Sequence, residues 1–156
     1  MSIELRRGKR VRLLSVVWTS VVMFALTACS SGSEDILTQC VNHDNLHSHI
    51  HVTLVTVWNG QPEFLPAGIG VTPECMSPTH THDDSSAIHI EATNNQEFTV
   101  GDFFDVWGAD SPASRPNADV ENVSLNGQPY TDDYRDIVFE NGDRIVVAFG
   151  DRTPTS

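Results

Sequence analysis

The chain predicts an α+β fold, a small mostly antiparallel or mixed β-sheet domain with one short helix, and three observations carry that prediction. Residues 49–58 alternate between apolar and polar side chains, the other apolar runs are short and separated by glycine, proline and asparagine, and only residues 99–108 carry a capped helical pattern. A β-grasp-like arrangement suits this order of elements.

The first strand, 49–58, sets Ile50, Val52 and Leu54 on one side and His49, His51 and Thr53 on the other, ahead of an Asn59-Gly60 turn. Shorter strands are expected at 64–71, 87–92 and 97–100. In 99–108, Thr99 or Asp102 caps a helix whose apolar face is Phe103, Phe104, Val106 and Trp107, and Gly108 stops it. A proline-containing loop runs through 108–117. Strands at 120–125 and 145–149 follow, the first leading into Asn126-Gly127 and the second preceded by Asn141-Gly142-Asp143.

Ahead of this domain, Arg6, Arg7, Lys9, Arg10 and Arg12 precede an apolar run from Leu13 to Leu26, the layout of a secretory signal. The run is short for a membrane span and closes on Leu26-Thr27-Ala28-Cys29. That tetrapeptide resembles the lipobox of bacterial lipoproteins. The resemblance implies cleavage before Cys29, lipidation of its thiol, and a membrane partner reached through the anchor. An ordinary secretory signal cut after Ala28 is the competing reading. The organisation expected is therefore a signal peptide at 1–28, a flexible tether at 29–38, one histidine-rich metal-binding domain at 39–151, and a tail at 152–156.

Beyond the signal the chain holds four arginines, no lysine and 20 carboxylates, a formal charge of −16. Such a surface repels phosphate backbones, which excludes nucleic acid as a partner class, and concentrates cations. Cys40 and Cys75 are the only cysteines after Cys29, an even pair in an oxidising compartment, and are expected to form a disulfide. The alternative, two thiolate metal ligands, has a spacing unlike a zinc knuckle. Met76 is the only methionine past the signal, which argues against a methionine-rich copper shuttle.

All seven histidines, His43, His47, His49, His51, His80, His82 and His89, lie before Glu91. Strand residues two apart share a face, so His49 and His51 present both imidazoles together, with His47 added where the strand starts early. His80-Thr81-His82 repeats the pattern beside Asp83, and His89-Ile90-Glu91 sets a histidine and a carboxylate on one face. His47, His49, His51, His80, His82 and His89 are the candidate ligands. Asp83 and Glu91 are candidates for orienting them, and His43 is placed in an exposed loop. Three or four imidazoles suit a copper or zinc ion as cofactor, and two with a carboxylate also suit ferrous iron.

The ordered blocks His47-x-His49-x-His51, Pro66-Ala67-Gly68-Ile69-Gly70-Val71, Cys75, His80-Thr81-His82-Asp83, Ile88-His89-Ile90-Glu91 and Phe98 through Gly108, with the closing Gly142-Asp143-Arg144-Ile145-Val146-Val147, cover nearly the whole domain. Together they resemble a group of small secreted or membrane-anchored prokaryotic proteins with no established activity. Thr79 stands where that pattern favours leucine, and Ala87 where it favours glycine. The resemblance implies a single domain and names neither metal nor reaction.

Three functions fit this reading. One is an extracytoplasmic lipoprotein that binds copper or zinc for acquisition, buffering or delivery. Another is a zinc-dependent hydrolase or carbonic-anhydrase-like lyase with three histidine ligands and an open position for water. The third is a non-catalytic surface scaffold with scattered histidines. Convergence of the ring nitrogens separates the third from the first two.

Overall fold

The structure is a computed structural model in which residues 35–152 are described, all within the compact unit Gly32–Ser156. The expected signal sequence and Cys29 lie outside the described residues.

The strand expected from alternation forms as β1 (Ser48–Trp58), rich in β-branched residues that pack well on a pleated surface. It turns through Asn59 and Gly60, both at positive φ as a tight hairpin demands, into the short β2 (Gln61–Glu63). On one side β1 pairs antiparallel with β4 (Ala87–Ala92), whose outer edge carries β3 (Thr79–His80). On its other side β1 pairs in parallel with β7 (Arg144–Asp151). Beyond β7 lies the hairpin of β5 (Ala118–Leu125) and β6 (Gln128–Pro129), turned by Asn126-Gly127. The seven-stranded sheet thus runs β3-β4-β1-β7-β5-β6, with β2 on β1. It is mixed and mostly antiparallel, with its first and last long strands side by side at the centre, and the one helix lies between β4 and β5 in the chain.

That helix, α1 (Val100–Trp107), begins in a reciprocal capping box. The Thr99 hydroxyl accepts from the Asp102 N–H, while the Asp102 carboxylate accepts from the Thr99 N–H at 2.8 Å. Gly108, at φ 68°, ends it. Its buried face, Val100, Phe103 and Phe104, joins a core with Val52, Leu54, Ile88, Ile90, Ile145, Val147 and Phe149 from the sheet. Phe104, Tyr134 and Phe149 meet edge to face with centroids 5.5–5.9 Å apart, the arrangement favoured by the ring quadrupole. Because Val52 pairs with Ile88 on this core side, the alternate pair His51–His89 projects from the opposite face of the sheet.

Two expected strands are not strands. Residues 64–66 are irregular, 67–70 form turns in which Gly68 and Gly70 adopt φ of 80° and 73°, which an extended chain does not, and Val71 makes only an isolated bridge with Met76. Residues 97–100 make only an isolated bridge, Thr99 with Val138, since Thr99 is committed to capping α1. The turn segment packs tightly under β3: a Cβ on Gly70 would lie 2.7 Å from the Thr79 carbonyl oxygen. Cys40 and Cys75 are joined in a disulfide, so neither thiolate is left for a metal. The bond is of the kind that oxidising extracytoplasmic compartments sustain. Among the described residues no helix is long and apolar enough to cross a membrane.

Candidate metal centre

The strand order β3-β4-β1 builds the site. Register sets His80 opposite His89 and His89 opposite His51, so three histidines form a row across three neighbouring strands. One pleat further along, Glu91 faces His49. His82 follows β3 and folds back onto the row, its ring 4.7 Å from that of His80 and 4.6 Å from that of His89. The rings of His49 and His89 lie 4.6 Å and 4.5 Å from that of His51.

Two triads result. His49, His51 and His89 each offer a ligand atom within 4.8 Å of the others, and so do His80, His82 and His89. Inside the triads, the Nε2 of His49 is 3.2 Å from Nδ1 of His89, and the two Nε2 atoms of His80 and His82 are 3.2 Å apart. Tetrahedral coordination at 2.0–2.1 Å places neighbouring nitrogens about 3.3 Å apart, so these pairs already have the spacing of ligands on one ion.

The tautomer of His80 is fixed. Its ring is fully buried and Nδ1 lies 2.8 Å from the Ser77 carbonyl oxygen, an acceptor only, so Nδ1 carries the proton and Nε2 carries the lone pair. Across the 3.2 Å contact His82 Nε2 must then be the donor. His82 is exposed, so moving that proton to its Nδ1 when a metal binds costs little. Burial lowers the pKa of His80, outweighing the Ser77 carbonyl that favours the charged ring. His89 is pushed down to about 4, first by burial and then by the neighbouring rings of His51, His82, His80 and His49. Both rings are therefore neutral at pH 7, and each keeps one nitrogen lone pair that a metal could take.

Glu91 is fully buried, and among the described residues neither carboxylate oxygen finds a well-angled hydrogen bond. Its Oε1 is 3.2 Å from His43 Nδ1 and 3.4 Å from His49 Nε2. A buried carboxylate left without donors is costly, and here it is aimed at the histidines. A cation beside it would offset that cost.

Of the expected ligands, His49, His51, His80, His82 and His89 come together. His47 belongs to neither triad; it is exposed, and its backbone N–H donates to the Ala92 carbonyl. Asp83 is an exposed turn carboxylate whose pKa is lowered first by the Ser85 hydroxyl and then by the Ser85 N–H, from which it accepts. His43 is exposed, as the sequence suggests, yet also contacts Glu91 and lies 6.2 Å, ring to ring, from His82. The disulfide explains its position. It ties the leading segment to Cys75, Val41 bridges Met76, and His43 follows two residues later. No local pattern marks His43 or the Ser77 carbonyl; only the even cysteine pair hints at the fastening.

Compared with known proteins, the chain matches no family model, no curated protein and no solved structure.

Proposed function

We propose that this protein is an extracytoplasmic, lipid-anchored metal carrier that takes up zinc or divalent copper on the outer face of its sheet, for acquisition, buffering or hand-over. The observation that carries the reading is the convergence of five imidazoles from β1, β3, β4 and the turn after β3, with ligand-like 3.2 Å spacings. Imidazole nitrogens with a nearby carboxylate suit both metals. Exposure favours exchange over catalysis: His51 and His82 are exposed, and the His49 side chain is 41% accessible, so an incoming partner can reach the ion. The acidic surface draws cations towards the site, and the anchor implied by the lipobox-like segment at Cys29 keeps it at a membrane.

Elemental analysis of the chain purified from its native compartment, with thermal melting before and after chelation, tests this reading. Zinc or copper should be retained, and its removal should lower Tm. Bound metal at a thousandfold excess over Kd stabilises by about 4 kcal/mol. A metal-free protein whose Tm does not respond to either ion would sink the proposal.

A further inference from the structure

The metal-binding reading leaves an excess of ligands. Zinc takes four, three or four of them from protein, whereas this face presents five converging histidines and a buried carboxylate. The two 3.2 Å nitrogen pairs, His49–His89 and His80–His82, have no member in common. His51 and His80 occupy the two ends of the cross-strand row with His89 between them, and neither triad contains both. Only His89 belongs to both triads. An imidazole has two nitrogens pointing away from each other, and only one can bind a given ion.

Resting on the metal-binding reading above, we infer that the face holds two divalent ions rather than one. His80 and His82 hold the first, His49 and His51 hold the second, and His89 bridges them through its two ring nitrogens. When the second ion binds, the N–H proton remaining on His89 passes to solvent and the ring becomes an imidazolate. The charge of the two cations is then partly offset by two anions, that imidazolate and the Glu91 carboxylate beside His49. Glu91 thereby gains the positive neighbour that its burial requires. His43, 3.2 Å from the same carboxylate oxygen, fastens it from the outer side. The protein becomes a two-ion store.

The full chain, purified in mild detergent and stripped of metal, is titrated with zinc alone and followed by native mass spectrometry. A parallel titration with divalent copper is followed by electron paramagnetic resonance. The expected result is two zinc ions per chain, falling to one in His51→Ala and to one in His82→Ala. Both are exposed positions whose truncation leaves the core untouched. With two copper ions bound, the integrated resonance should fall below the copper content as the spins couple through the bridge. In His89→Ala that coupling should vanish. A single ion in the wild type, lost in either variant, would overturn the two-ion inference and leave the metal-binding reading standing. Two copper ions with full, uncoupled intensity would overturn the bridge. No uptake of either metal would overturn both readings.

Discussion

Acidification should destabilise the metal-free domain through His89 by an amount that can be isolated. Its ring titrates near 4 in the folded state, against 6.5 for an unperturbed histidine, because burial and four neighbouring imidazoles oppose a charge there. The unfolded chain therefore takes up this proton at higher pH than the folded chain does. The stability tied to a neutral His89 is complete above about pH 6.5 and is lost as pH falls towards 4. A shift of this size corresponds to about 3.4 kcal/mol at 1.36 kcal/mol per unit. The ring is only partly buried, and water screens it, so about 1–2 kcal/mol is the expected effect. Urea unfolding in chelator, followed by tryptophan fluorescence, would measure it for the wild type and His89→Gln at several pH values between about 7 and 4. Carboxylates titrate in both proteins, so the difference between the two curves reports the histidine. The wild type should lose about 1–2 kcal/mol more than the variant across that window. Parallel curves would refute the crowding of imidazoles about His89 on which the site depends.

Other outcomes follow from the same geometry. Gly70→Ala would strain a residue at φ 73° and press a methyl group against the Thr79 carbonyl, displacing β3 and with it His80. It should cost roughly 1–3 kcal/mol and weaken zinc retention together, measured by melting and by competition with a chromogenic chelator. Replacing Cys40 and Cys75 by serine opens a loop of sequence separation 35, which the chain-entropy relation values at about 4 kcal/mol. Urea midpoints unchanged by the double substitution would contradict that role. His47→Ala should leave zinc affinity at the wild-type value, whereas His43→Ala, which removes the group beside Glu91, should lower it roughly tenfold, as loss of a ligand-supporting contact does elsewhere. Calorimetric titration of the two variants separates them, and equal affinities would place His43 outside the site.

Much of this protein is written locally in its sequence. Alternation in 49–58 sets Val52 and Leu54 towards the core and His49 and His51 away from it, because strand side chains repeat every two residues. The same rule correctly puts His89 and Glu91 on one face. Asn59-Gly60 and Asn126-Gly127 name their hairpins, since few residues accept positive φ twice in succession. The cap at Thr99 and the stop at Gly108 bound the helix. These features depend on backbone preferences and periodicity within a few residues.

What tertiary structure alone decided is which strands become neighbours. The placing of β4 between β3 and β1 turns three separate histidine-bearing segments into one row, and it comes from long-range pairing that no short window records. The turns at 67–70 defeat the strand expected over 64–71 because Gly70 must pass close beneath β3, a constraint imposed from nine residues away. Glu91 reads in sequence as a carboxylate on the same strand face as His89, a candidate for orienting the histidines. Its burial, and its contact with His43 from a segment fastened by the disulfide, arise only when the chain closes over it. The sequence by itself determined which histidines share a strand face. Their convergence, and the shared position of His89, required the fold, because coordination is set by distances between segments that are remote along the chain.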